Sequence, residues 1–180
     1  MGLRKWLFAA SYDRLTGPAE KWLAPYRQRT AGQTRGHTLE IAAGTGANLP
    51  FYPEEVSITI VEPNPHMARR LEHKARALGR EVTVLPHAGE SLPFPDATFD
   101  SVVTTLVLCS VQDLKASLRV VRRVIKPVGG FFFYKHVAAQ GGWTLRFQNW
   151  IGPFWKFFWR WLSPAPRYRV GHSRSQIQPR

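Results

Sequence analysis

The chain has 180 residues, 44% of them hydrophobic and 21% charged, with a formal net charge of +13. That is the size and balance of one globular domain with a core of its own, and it excludes a collagen-like, coiled-coil or wholly disordered chain. Cys109 is the one cysteine, so no internal disulfide forms and nothing points to secretion.

The N-terminal MGLRKWLFAA holds two basic residues and a short apolar run, without a small-residue cleavage pattern or spanning length, and is not read as a signal peptide. Residues 5–30 read as a helical lead-in, with Trp6, Leu7, Tyr12, Leu15, Trp22, Leu23 and Tyr26 among charged residues and Pro18 as a break. HTLEIAAG (37–44) is a short apolar strand running into a Gly-rich turn. Further strands are expected at 58–61, 82–85, Asp100–Ser110 and 130–135, with helices at 65–78 and 115–124. Strands alternating with helices at this pitch predict an α/β fold with a doubly wound, mostly parallel sheet.

From Gly141 the alternation stops. WTLRFQNWIGPFWKFFWRWL (143–162) holds five of the seven tryptophans, and 163–180 is a Pro, Ser and Arg-rich stretch that reads as a disordered tail. The expected organisation is a lead-in over 1–36, a core over 37–140, an aromatic cap or interfacial helix over 141–162 and a basic tail over 163–180. Charge follows these divisions. Residues 1–113 carry twelve Lys/Arg and twelve Asp/Glu, whereas 114–180 carry thirteen Lys/Arg and no acidic residue.

The chemistry is concentrated in Leu39-Glu40-Ile41-Ala42-Ala43-Gly44-Thr45-Gly46-Ala47-Asn48. A strand enters a Gly-x-Gly turn, where backbone passes close to a ligand with no Cβ in the way. The next strand ends in Glu62, sixteen residues after Gly46, and an acidic residue there accepts hydrogen bonds from two ribose hydroxyls. Together these features point to a nucleoside-type cofactor.

On these residues the sequence resembles the class I S-adenosylmethionine-dependent methyltransferases over roughly residues 10 to 160. The glycine motif, Glu62-Pro63-Asn64-Pro65, Ala88-Gly89-Glu90 with LPFPD (92–96), Phe99-Asp100 and RVIKP (123–127) follow in that family's order. GTGANLPFYP (44–53), EPNPHM (62–67), TLVLCSV (105–111) and HVAA (136–139) resemble the methyltransferase-like thiol S-methyltransferase subgroup and its bacterial relatives.

The resemblance implies a Rossmann-like sheet and S-adenosyl-L-methionine as cofactor. It further implies that Glu40, Gly44 and Gly46 wrap the methionine part and that Glu62 holds the ribose. Asn64 and Met67 would lie near the adenine, with Ala88, Gly89 and Glu90 on its other side. Thr105, Leu106, Val107 and Leu108 would face the sulfonium and methyl group.

Departures from the family pattern are Ala42 for a glycine, a common variant read as neutral, and Lys135 for an acidic residue. Val128 also stands for the first glycine of a Lys-Pro-Gly-Gly turn; if φ is positive there, it costs on the order of 1–3 kcal/mol. The family continues through two further strands that this chain lacks, so five strands are expected.

Of the remaining candidates, His136 follows the fifth strand and reads equally as a general base or a hydrogen-bonded loop histidine. Cys109 reads as a packed small hydrophobe, and His66 and His73 as solvated helix residues. No metal-ligand spacing is present. Trp150, Ile151, Phe154, Phe157, Phe158, Trp161 and Leu162 share one helical face. Packing against the core ranks first for that face and contact with an anionic membrane second; nucleic acid ranks below both. The default address is the cytoplasm, with attachment at a membrane surface as its variant. The sequence says nothing of oligomeric state.

The function expected is methyl transfer from S-adenosylmethionine to a small apolar acceptor, with a thiol favoured. The alternative is a truncated, non-catalytic relative acting as a membrane-associated or partner-binding module.

Overall fold

The computed structural model describes residues 2–87, 92–108 and 113–134. Its first element, α1, is a helix over Gly2–Gln28 that continues through Pro18 and Pro25. The break expected at Pro18 is absent. A proline inside a helix removes one backbone donor and costs roughly 3 kcal/mol, so anchoring on both sides must offset it. Ala9 is buried on one side of Pro18 and Arg27 on the other. The Ser11 and Thr16 hydroxyls donate to the carbonyls of Leu7 and Tyr12, each at 2.9 Å.

The strands β1 (His37–Ile41), β2 (Ser57–Val61), β3 (Val82–Leu85), β4 (Phe99–Thr105) and β5 (Ile125–Tyr134) form one sheet in the order β3-β2-β1-β4-β5. Every pairing is parallel. The five parallel strands expected from the sequence are present. Helix α2 (Pro65–Ala77) connects β2 to β3, and α3 (Leu114–Val124) connects β4 to β5.

Both helices start where a short polar side chain caps them. Asn64 accepts from the His66 N–H at 3.0 Å, and Asp113 from the Ala116 N–H at 2.9 Å. Met67, Leu71 and Ala75 bury one face of α2, while Ser117, Val121 and Val124 bury one face of α3.

Side chains alternate across the sheet and build two core layers. Leu49, Tyr52, Ile58, Ile60, Leu71 and Val103 pack on one face. Leu39, Ile41, Val61, Phe99, Val102 and Val121 pack on the other.

Two strands differ from their expected bounds. β4 stops at Thr105 rather than Ser110, although the apolar run continues, because Leu106 takes a left-handed φ of 60° and turns the chain out of the sheet. β5 begins at Ile125 rather than Gly130. Its register against β4 shifts between Phe99↔Ile125 and Ser101↔Gly130, so Lys126 to Gly129 form a bulge. Val128 is 84% exposed on that bulge and does not have a positive φ, so the strain that a left-handed turn would impose on it does not arise.

The strand order changes direction between β1 and β4, which opens a crevice at their carboxyl ends where sheets of this kind bind ligands. Among the described residues no helix is long and apolar enough to cross a membrane.

Gly46 shows how tightly the turn after β1 is packed. Its φ is +79°, and a Cβ there would sit 2.6 Å from Leu49 Cδ1 and 3.2 Å from Leu71 Cγ. Gly46→Ala should therefore destabilise the fold by about 2–4 kcal/mol, through backbone strain and overpacking combined. Urea unfolding measures this, and an unchanged midpoint would contradict the packing.

Candidate functional site

The chain leaves β1 through Ala42, which has a φ of 54°, into a turn where Gly44 and Gly46 are also left-handed. Alanine at Ala42 is therefore not neutral: its Cβ stands in a conformation that glycine adopts without strain. The two glycines serve opposite sides of the turn. A Cβ on Gly46 would collide with the core, whereas one on Gly44 would meet, among the described residues, only Met67 Sδ, at 3.9 Å. Among the described residues Gly44 thus leaves space beside Met67 that a side chain would otherwise fill.

Glu62 follows β2 directly and is 6% exposed. Its Oε2 accepts from the Gly44 N–H at 2.9 Å and its Oε1 from the Asn64 N–H at 2.8 Å. One carboxylate therefore fixes both the glycine turn and the cap of α2. The glycine turn and Glu62, singled out in the sequence by their spacing, touch directly. Asn64 holds the helix cap, and Met67 is buried beneath Gly44.

Glu40, on the central strand, is 1% exposed. Its Oε1 accepts from Asn48 Nδ2 at 2.7 Å and its Oε2 from the Tyr52 hydroxyl at 2.8 Å. Asn48 Oδ1 in turn accepts from Arg27 Nη1 at 2.7 Å. The Arg27 guanidinium, also buried, forms a two-pronged ion pair with Glu20 at 2.9 Å on each arm. Burial raises the Glu40 carboxyl above the ordinary range against the lowering by Tyr52, Asn48 and Arg27. Burial, reinforced by the Glu40 charge, pushes the Tyr52 phenol well above its usual value.

Thr105 ends β4, and its hydroxyl oxygen accepts from Asn48 Nδ2 at 3.0 Å and Arg27 Nη1 at 3.4 Å. Leu106 follows with its left-handed backbone, its N–H donating to the Tyr134 carbonyl at 2.7 Å, and Leu108 is buried.

Helix α1 lies along this edge of the sheet. Tyr26 stacks on Tyr134 with ring centroids 4.8 Å apart. Farther along α1, Asp13 accepts from Thr45 Oγ1 at 2.7 Å and from Arg70 of α2 at 3.0 Å.

Glu40, Gly44, Glu62, Met67 and Thr105 are thus brought to the carboxyl ends of β1, β2 and β4. Ala88, Gly89, Glu90, Lys135, His136 and Cys109 lie outside the described residues, as do the aromatic segment and the tail. Sequence reasoning missed Arg27, Asp13, Asn48 and Tyr52 as members of the site's framework. Asn48 and Tyr52 stand inside the phrase GTGANLPFYP, which was a signal; Arg27 and Asp13 sit in a helix with no local motif. Among the described residues no His, Cys, Asp and Glu group is arranged to hold a metal.

A family profile described as "Methyltransferase domain" matches residues 39–133. Human thiol S-methyltransferase TMT1B is 41% identical over 122 residues, covering 66% of this chain and 50% of that protein. Human thiol S-methyltransferase TMT1A is 35% identical over 156 residues, covering 82% of this chain and 63% of that protein. This chain therefore spans between half and two thirds of the length of these curated relatives. Among solved structures, the YcgJ protein of Bacillus subtilis superposes with a TM-score of 0.61 at 26% identity, covering 72% of this chain and 56% of that one.

The buried carboxyl makes a testable pair with Tyr52. Because the Glu40 pKa is raised on folding, the native state holds more protons than the unfolded one between pH 4.5 and that raised value, and stability falls as pH rises through this window. Tyr52→Phe removes a donor to Glu40 and should cost about 1–3 kcal/mol at neutral pH. The cost should shrink as the pH falls and Glu40 protonates. Denaturant unfolding of both proteins at several pH values measures this, and a pH-independent difference would contradict it.

Proposed function

The chain belongs to the methyltransferase-domain family, and from that premise we propose that it binds S-adenosylmethionine across the ends of β1, β2 and β4 and transfers its methyl group to a small apolar thiol. The observation that carries the reading is the Glu62 carboxylate bonded to the Gly44 N–H, beside the space that Gly44 leaves next to Met67. That is a preformed seat for a ribose at the edge of a glycine turn.

The cofactor supplies a methyl group already activated on a sulfonium, so the protein's work is binding, alignment and exclusion of water. Glu62 would accept from the ribose hydroxyls, and Gly44 and Gly46 let the backbone approach the methionine part. Glu62 sets negative charge at the end of β2, beside the turn, which suits a cationic ligand. Asn64, Met67, Ala88, Gly89 and Glu90 would border the adenine. Leu106 and Leu108 would offer apolar surface where the methyl group is transferred.

Thiol as the acceptor is supported by the chain's likeness to the two human thiol S-methyltransferases and by chemistry. A thiol ionises near neutral pH and needs little help from a base. An oxygen or nitrogen acceptor would need one, and His136 is the residue proposed for it. Attachment to an anionic membrane through the aromatic segment 143–162 stays a proposal carried by the sequence of that segment.

Titration calorimetry with S-adenosylmethionine and S-adenosylhomocysteine should give saturable one-to-one binding, followed by methylation of small thiols. Glu62→Ala should weaken both ligands at least about tenfold, since a hydrogen bond to a charged group contributes roughly 1.5–3 kcal/mol. Unchanged affinity would refute the ribose assignment. No binding by a folded wild-type chain would favour the non-catalytic module instead.

A further inference from the structure

The buried polar chain beneath the crevice has a direction. Glu20 faces the Arg27 guanidinium, and Arg27 faces the Asn48 oxygen. The Asn48 amide nitrogen is thereby turned to Glu40, which also accepts from Tyr52. Arginine only donates, so its bond to the Asn48 oxygen fixes the amide's orientation and leaves the Asn48 nitrogen as the donor.

Thr105 lies beside this chain. Its hydroxyl oxygen has two lone pairs, one receiving Asn48 Nδ2 at 3.0 Å and the other Arg27 Nη1 at 3.4 Å. Both acceptor positions face the protein. Among the described residues no acceptor receives the Thr105 proton, and the side chain is half-buried at the crevice end of β4.

We infer that Arg27 and Asn48 are positioning residues that leave the Thr105 hydroxyl able to act only as a hydrogen-bond donor into the crevice, toward a negatively charged group of the bound ligands. This rests on the cofactor site proposed above and extends it to three further roles. Two groups have the required chemistry: the carboxylate of the cofactor's methionine part and the ionised sulfur of the acceptor. A hydroxyl whose lone pairs are held by a cation and an amide is also a stronger donor than a free one.

Thr105→Val keeps the shape of the side chain and removes the donor; Thr105→Ser keeps the donor. Calorimetry would use S-adenosylhomocysteine and methylthioadenosine, which shares the nucleoside and thioether but lacks the amino-acid end. If the carboxylate is the partner, Thr105→Val weakens S-adenosylhomocysteine about tenfold and leaves methylthioadenosine unchanged. If the acceptor sulfur is the partner, both affinities hold and kcat/KM for the thiol falls about tenfold. In either case Thr105→Ser recovers the loss to within about threefold.

The positioning roles predict that Asn48→Ala combined with Thr105→Val loses less affinity or kcat/KM, whichever the single variant lost, than the product of the two single losses. Thr105→Ala carries the same comparisons should the valine chain not fold. Wild-type affinity and turnover in Thr105→Val, or equal loss for both nucleosides, would overturn the donor, and fully multiplicative losses would overturn the positioning roles. A wild-type chain that binds neither nucleoside would overturn the cofactor site and this inference together, whereas normal wild-type binding with an unaffected Thr105→Val overturns this inference alone.

Discussion

A carboxylate without access to water in the central strand sets the terms for everything around it. Glu40 is buried between two sheet neighbours, and an unpaired charge in that position would cost several kcal/mol. Its partners come from the segment that follows the glycine turn, Asn48 and Tyr52, and through Asn48 from the end of α1. The turn must therefore fold back over β1 so that both side chains reach the same carboxylate. The Arg27 cation, also buried, is itself offset by Glu20, two turns earlier on the same face of the helix.

The same carboxyl ends concentrate backbone strain. Ala42 after β1 and Leu106 after β4 are left-handed non-glycine residues on adjacent strands, flanking the point where the strand order reverses. Such conformations cost of order 1–3 kcal/mol each and persist where the surroundings hold them. Here the Ala42 N–H donates to Val61 and the Leu106 N–H to Tyr134, both at 2.7 Å. The strain bends each chain away from its strand and opens the crevice between them.

Helix α1 is held at several points along this edge. Its C-terminal end carries the buried Arg27 network and the Tyr26–Tyr134 stack. Nearer its N-terminus it is held by buried Ala9, by the Thr45 hydroxyl on Asp13 at 2.7 Å, and by the exposed Asp13–Arg70 pair, the kind of ion pair worth at most about 1 kcal/mol. The Arg27 end of the helix is thus tied to the Glu40 network and Thr105, and the stretch around Asp13 to Thr45 of the glycine turn.

The local pattern of the chain determined the alternation of strands and helices, the parallel sheet, and the placing of the glycine turn and of Glu62 at the ends of successive strands. Each of these depends on short-range periodicity or on a spacing carried within one βαβ unit. The ends of β4 and β5 were not legible, since a left-handed Leu106 and a bulge over Lys126 to Gly129 arise from pairing between strands rather than from residue type. Nor was the continuity of α1 through Pro18, which local propensity opposes and tertiary anchors restore. Arg27 reaches Asn48 across 21 residues of sequence and Thr105 across 78. A polar network of that range leaves no periodic trace; only the folded chain brings a helix cation, a strand-end hydroxyl and a central-strand carboxylate to one loop amide.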